Sequence, residues 1–332
     1  MSTILTGVKP TGMPHVGNFV GAIRPALKLA ATEGVDSLLF VADYHALINV
    51  QNPDELRQMT YEVAATWLAL GLDPEKTVFY RQSDVSEVFE LNWILSCFTE
   101  KGLMNRAHAY KARSDENQQK GRSPDEGISM GLYGYPVLMA ADIVLYDADK
   151  VPVGADQLQH LEIARDIVQR INHNYGKEVL KTPEAMIQKE TATIPGLDGR
   201  KMSKSYQNTI PLFLESKKLR KLIMKIKTDS SPPEAPKNPD ESDVFGLYSH
   251  FATPEEVDAL RVRYQTGIGW GEAKQALYEV IERSVEKPRE KYLSLMADTD
   301  QIEAVLVEGA ERAREIAQGV LRRVREAIGA RS

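Results

Sequence analysis

The chain of 332 residues holds a single cysteine, Cys97. No intrachain disulfide can form, which excludes a disulfide-stapled secreted scaffold and suits a reducing cytoplasm. Paired cysteines and a His-x-x-x-His spacing are missing, so nothing in the sequence supports zinc or another protein-bound metal. No apolar run approaches the length of a bilayer span. Met1 to Gly7 carry no basic start before an apolar stretch, so neither a signal peptide nor a membrane partner is expected. Basic charge is not in excess either. The net charge is −6, so nucleic acid has to be met through local basic faces. No internal repeat is found. What is present is a globular composition, 42% hydrophobic and 27% charged, in a length sufficient for two domains.

Residues 3–8 read as a short buried strand closing on the turn Lys9-Pro10-Thr11-Gly12. A helix is expected from about Gly17, with Phe19, Val20, Ile23 and Leu27 inward and an end or kink at Pro25. Ser37 to Ala42 is a continuous apolar run, the signature of a parallel strand covered on both faces. Pro53 to Leu70 is helical, with Leu56, Met59, Val63, Trp67 and Leu70 at helical spacing. A strand at Thr77 to Tyr80 and a helix at Val85 to Phe98 continue the alternation, which predicts a doubly wound α/β domain. In residues 110–128 apolar side chains almost vanish, and the segment reads as a flexible surface loop. Tyr133 to Tyr146 reads as a helix, Val151 to Val153 as a strand and Asp156 to Arg170 as a helix. A basic helix follows, with Lys217, Lys218, Arg220, Lys221, Lys225 and Lys227, and then a proline-rich connection at Ser231 to Pro239. From Pro254 only helices are expected. The last, at roughly 303–328, turns Val305, Leu306, Ala310, Ile316, Val320, Leu321 and Val324 inward and its arginines outward.

Four short segments carry chemistry. His15-Val16-Gly17-Asn18 places a glycine and small polar groups where a strand turns into a helix, so free N–H groups and a helix dipole face an anion. An ordinary helix cap looks similar. Lys201-Met202-Ser203-Lys204-Ser205 puts two lysines and two hydroxyls in a polar loop beside Gly196 and Gly199. The plain alternative is a solvated loop, but such a cluster suits closure over a pyrophosphate, and the two motifs together suggest adenylation. In Tyr135 to Asp142 a carboxylate sits among Met139, Ala140, Ala141, Ile143 and Val144. An unpaired buried charge is costly, so Asp142 needs a donor: an internal hydroxyl or a ligand N–H. Gly154-Ala155-Asp156-Gln157 lies between a strand and a helix, either as a cap or as a ribose and amino-group contact. His45, in Asp43-Tyr44-His45-Ala46 after the central strand, reads more simply as structural.

With these residues the chain resembles the class I aminoacyl-tRNA synthetases, specifically the bacterial-type tryptophanyl-tRNA synthetase family. The likeness spans nearly the full length. It is carried by Gly7 to Gly12, His15 to Asn18, Tyr135 to Asp142, Val151 to His160 and Lys201 to Ser205. It implies a Rossmann-like catalytic domain at 1–206, with a helical dimerisation insertion at about 105–170. It further implies a mainly helical tRNA- and anticodon-binding region at 207–332, whose last helix packs back on the catalytic domain. ATP is implied at Lys9, Pro10, Thr11, Gly17, Asn18, Gly154, Ala155, Asp156, Ile194 and Lys201, Met202, Ser203, Lys204, Ser205. Tryptophan is implied at Asp142, Tyr135, Met139, His45, Gln157, Val151, Val153 and Leu5, with Asp142 accepting the indole N–H. Lys201 and Lys204, with Lys111 from the 110–128 loop, are the implied catalytic cations. Mg2+ is implied on the ATP phosphates, tRNA(Trp) and a second copy of the chain as partners, and the cytoplasm as location. Lys9, Arg113 and Leu5 depart from the family's usual Gln, Lys and Phe. Tyrosyl-tRNA synthetases, other nucleotidylyltransferase-fold adenylating enzymes and an inactive tRNA-binding paralogue are the rival readings.

Overall fold

The computed structural model describes residues 2–154, 157–187 and 194–331. A five-stranded parallel sheet forms the centre, in the order β3-β2-β1-β4-β5. Its strands are β1 (Ser2–Val8), β2 (Val35–Val41), β3 (Thr77–Arg81), β4 (Lys150–Val153) and β5 (Glu184–Ile187). All neighbours run parallel. This is a doubly wound order, reversing direction between β1 and β4.

The continuous apolar run of β2 has its physical reason in the packing. Leu39 and Val41 enter one core, while Leu38 and Phe40 enter a second core on the opposite face. The first core is continuous with the C-terminal helices through Tyr264, Leu277 and Leu306. The final helix, Asp300–Ile328, joins both cores: Ile302 and Leu306 belong to the first, Ala310 to Val324 to the second. It lies against the backbone of edge strand β3. A Cβ at Gly309 would sit 1.8 Å from the Phe79 carbonyl oxygen. Exposed hydrogen-bonding edges invite pairing with other chains, and this helix covers one.

Several sequence expectations are corrected. Pro25 does not end its helix. A π-turn at Phe19–Ile23 precedes it, and Arg24 N–H bonds to the Phe19 carbonyl, one residue further back than in an α-helix. The supposed loop at 110–128 is helical over His108–Gln119. Arg113–Glu116 and Glu116–Lys120 pairs support its surface, and the buried Asn117 side chain donates to the carbonyls of Pro124 and Glu126. Strand β5 lies where the sequence predicts no element. Ile316 is 39% exposed rather than inward. Most arginines of the last helix are not free to form a basic face. Arg314 pairs with Glu87, Arg323 with Asp147 and Arg325 with Glu90, and Arg312 donates to Pro74 O. By contrast Lys217, Lys218, Arg220 and Lys221 on the Ser216–Ile223 helix are exposed, as are Lys225 and Lys227 beyond it.

Candidate active site

At the point where strand order reverses, β1 and β4 are in register only at Ile4 and Lys150. Beyond that pair the strands part, and a cavity of about 350 Å3 opens between their carboxyl ends. Crevices at such reversals are the usual ligand sites of open α/β sheets, and the volume is that of a small-molecule site. Leu5 and Gly7 of β1, Phe40 and Ala42 beside β2, and Val151 and Val153 of β4 form its floor. Tyr135, Met139, Asp142 and Ile143 line it from the Met130–Val144 helix, and His45 and Ile48 from the segment after β2. Gln157 and His160 face it from the start of the Leu158–Tyr175 helix, and Lys9 stands at its mouth. Leu5, His45, Tyr135, Met139, Asp142, Val151, Val153 and Gln157, which the family resemblance implies at one site, thus share one wall system. Gly7 keeps the cavity open, since a Cβ there would meet the Phe40 ring at 2.7 Å.

Asp142 is 4% exposed and, among the described residues, is the only carboxylate lining this cavity. The donor it requires is not a hydroxyl. His45 Nε2 donates to Oδ2 at 2.8 Å, and Gln82 Nε2 donates to both oxygens at 2.8 and 2.9 Å. Burial pushes the Asp142 pKa up, and the bonds from His45 and Gln82 oppose that. A carboxylate offers about four lone-pair positions, so these two donors leave room for one more from the cavity. At the other side the Tyr135 hydroxyl lies 2.5 Å from His160 Nε2, and the His45 and Tyr135 rings meet edge to face at 6.2 Å.

The two phosphate-type motifs, distant in sequence, touch. His15 Nδ1 accepts from Asn18 N–H, and Asn18 Oδ1 accepts from His15 N–H, a reciprocal cap of the helix that follows. Gly17 N–H points at Met202 Sδ, 3.3 Å away. A backbone bridge between His15 and Pro211 holds the segments side by side. Lys204 Nζ donates to the Thr11 carbonyl, over the turn at Pro10 to Gly12, with Glu62 nearby. Burial holds the Lys204 pKa below the usual lysine value. Burial, and then the Lys204 charge, push His15 down to about 4. The loop is fixed from within by Asn208, which is 3% exposed. Its side chain accepts from Ser203 N–H and donates to Asp198, and Ile194 O accepts from Met202 N–H. The Lys201 side chain is exposed to solvent.

Not every expected residue joins. Lys111 is exposed on the His108–Gln119 helix, whose Ala109 lines the cavity, and no bond links it to the motif lysines among the described residues. Gly154 caps the end of β4 by accepting from Gln157 N–H. Ala155 and Asp156 lie outside the described residues. Among the described residues no three His, Cys, Asp or Glu side chains converge as a metal site. Sequence reasoning missed Gln82, His160 as a cavity residue, and Asn208. For Gln82 a signal existed: it directly follows the carboxyl end of a parallel strand, where ligand-side residues of this architecture stand.

A family model described as tRNA synthetases class I (W and Y) matches residues 1–286. A tryptophan–tRNA ligase of Pseudomonas aeruginosa is 54% identical over 331 residues, covering 99% of this chain and 74% of that one. One from Neisseria meningitidis is 52% identical over 329 residues, covering 99% and 98%. A solved structure of tryptophanyl-tRNA synthetase from Campylobacter jejuni, complexed with ADP and tryptophan, superposes with a TM-score of 0.89 at 43% identity over 98% of this chain and 99% of that one. With a family model spanning most of its length and relatives more than half identical over nearly all of it, the chain belongs to the class I tRNA synthetases of the tryptophan and tyrosine group.

Proposed function

We propose that the chain is a tryptophan–tRNA ligase. It converts ATP, L-tryptophan and tRNA(Trp) to AMP, diphosphate and L-tryptophyl-tRNA(Trp) through a tryptophanyl-adenylate. The observation that carries the choice of amino acid is Asp142, a buried carboxylate with one open acceptor position in an otherwise largely apolar cavity. Indole has one N–H donor and no acceptor, and a charge-assisted bond to a carboxylate matches it. Tyr135 and Gln157 at the polar side of the cavity suit the ammonium and carboxylate of the amino acid. The cavity mouth at Lys9 adjoins the Pro10 to Gly12 turn, where the two phosphate-type motifs meet. We place ATP there, with Gly17 and Asn18 at the phosphates, Gly154 to Asp156 at the ribose and adenine, and Mg2+ on the phosphates. The tryptophan carboxylate attacks the α-phosphorus, the bond to diphosphate breaks, and Lys201, Lys204 and Lys111 neutralise charge on the departing diphosphate. In such chemistry positioning and charge neutralisation carry most of the catalysis.

The exposed lysines of the Ser216–Ile223 helix give residues 207–332 a tRNA-facing surface, and residues 1–206 then form the catalytic domain. A homodimer fits the surface as well. Trp93 is 72%, Met130 79%, Leu47 43% and Phe89 39% exposed, and the Phe89 ring meets Tyr44 edge-on at 4.7 Å. ATP and tRNA are cytoplasmic, and we place the enzyme there. None of the described helices is long and apolar enough to cross a membrane.

The test is Asp142→Ala, assayed by ATP–pyrophosphate exchange with tryptophan and phenylalanine. The expected loss in kcat/KM for tryptophan is about 2–4 kcal/mol, the scale of a hydrogen bond to a charged group plus the unmet donors left behind. The gap between the two amino acids should narrow, because sites built around a buried hydrogen bond reject ligands that cannot make it. An unchanged ratio alongside a lowered melting temperature would reduce Asp142 to a structural role.

A further inference from the structure

We infer that Gln82 is a specificity-determining positioning residue for tryptophan: its amide donor holds the Asp142 carboxylate so that an acceptor position faces the cavity. The inference rests on the reading of Asp142 as the acceptor of the indole N–H.

Gln82 is 1% exposed and stands immediately after β3, behind the cavity wall rather than in it. Its Nε2 lies within hydrogen-bond distance of both Asp142 oxygens. Its Oε1, buried as well, has no partner among the described residues. That asymmetry is informative. Turning the amide over would place Oε1 against both oxygens of the carboxylate, acceptor facing acceptor, so Asp142 dictates which way the amide points. A glutamine kept only for packing would bury an unmet acceptor to no benefit, whereas an apolar side chain of the same length would fill the space without one. The residue type therefore makes sense only through Asp142.

The geometry gives Asp142 two donors from two different elements. Gln82 comes from the end of β3 and His45 from the short helix after β2, while the carboxylate belongs to a third element, the Met130–Val144 helix. Tyr80 and Tyr146 also feel its charge. Both are buried, and burial raises both pKa values, so they stay uncharged beside it. Without Gln82 only His45 would restrain the carboxylate, leaving it free to rotate its acceptor position away from the indole nitrogen or to take up a proton.

The experiment compares the full-length wild type with Gln82→Met and Gln82→Glu in pyrophosphate exchange, together with thermal melts. The two probes are L-tryptophan and L-benzothienylalanine, the isostere whose sulfur replaces the indole N–H. The indole bond is made equally in ground and transition states, so its loss should raise KM and leave kcat nearly unchanged. Gln82→Met is expected to raise KM for tryptophan about tenfold or more, the effect of losing a hydrogen bond to a charged group. It should leave KM for the sulfur isostere alone, so the preference for tryptophan falls by the same factor. Gln82→Glu keeps the shape but sets a second carboxyl against the buried Asp142 carboxylate, so the pair holds a proton between them and the indole N–H loses its fixed charged acceptor. The preference should collapse too, which separates the amide donor from packing should Gln82→Met fold poorly. If both variants keep the wild-type preference, whatever their melting temperatures, the inference is overturned. Asp142→Ala in the same assay tells the two ideas apart. A preference that responds to Asp142→Ala but not to either Gln82 substitution removes Gln82 and leaves the Asp142 reading standing. One that ignores Asp142→Ala removes both.

Discussion

Gly309→Ala measures how closely the final helix is seated on β3. The added Cβ would lie 1.8 Å from the Phe79 carbonyl oxygen and 2.5 Å from its carbon. A backbone carbonyl in a strand cannot rotate aside as a side chain can, so the helix has to move out or bend. Two effects oppose each other. Alanine is favoured over glycine in a helix interior by about 1 kcal/mol. Overpacking a tight contact typically costs about 1–3 kcal/mol. Here the upper part of that range applies, because retreat of the helix also loosens Leu306, Ala310 and Ala313, each fully or nearly buried. The net result is a loss of about 2 kcal/mol. Gly319, on the same helix, supplies the control: a Cβ there meets nothing within 4 Å, so Gly319→Ala should gain about 1 kcal/mol from helix propensity alone. At roughly 2–4 °C per kcal/mol in large domains, Gly309→Ala should melt about 5 °C lower than wild type and Gly319→Ala about 2 °C higher. Calorimetry on the three proteins gives the answer. If both substitutions raise the melting temperature, the close approach of helix to strand is wrong.

Lys204→Ala should slow the adenylation burst by about a hundredfold, or about 3 kcal/mol, with little change in tryptophan binding, because its charge matters most as diphosphate departs; an unaltered burst rate in rapid-quench experiments removes this lysine from the mechanism. His15 titrates at about 4 in the fold against 6.5 unfolded, so between those values the unfolded chain binds more protons and stability rises with pH, by as much as about 3 kcal/mol across the window. His15→Asn, which keeps an acceptor for the helix cap, should flatten that part of the melting-temperature profile, and a profile parallel to wild type contradicts the assignment. Light scattering at micromolar concentration should give twice the 37.1 kDa chain mass, and Trp93→Arg should shift it toward one chain; a wild-type protein of single-chain mass and full activity refutes the dimer.

Elements whose burial follows from local pattern were legible in the sequence. β2 reads as a central strand because both its faces are covered, and Asp142 stands out because a carboxylate among alanines and aliphatics demands a partner. What could not be read depends on partners remote in sequence. Gln82 finds Asp142 60 positions away. Arg314, Arg323 and Arg325 of the last helix look solvated in sequence and are instead bonded to acids more than 170 positions earlier, as Arg323 to Asp147 shows. The His108–Gln119 helix reads as a loop in sequence because its buried positions are Ser114 and Asn117 rather than apolar residues. β5 is too short and too mixed to show a period. The parting of β1 from β4, which creates the cavity, leaves no mark on either strand's residues.

The helix that covers β3 also sets a timetable for synthesis. Arg81, at the end of that strand, and its partner Glu303 are 222 positions apart. At roughly 5–20 residues per second on the ribosome, the outer edge of the sheet waits about 10–45 s for its cover. During that interval the nascent chain carries an open strand and two unfinished cores. Chaperone binding to the growing polypeptide, and the yield of native protein at raised temperature, should therefore be governed by the arrival of one late helix rather than by the strands made first.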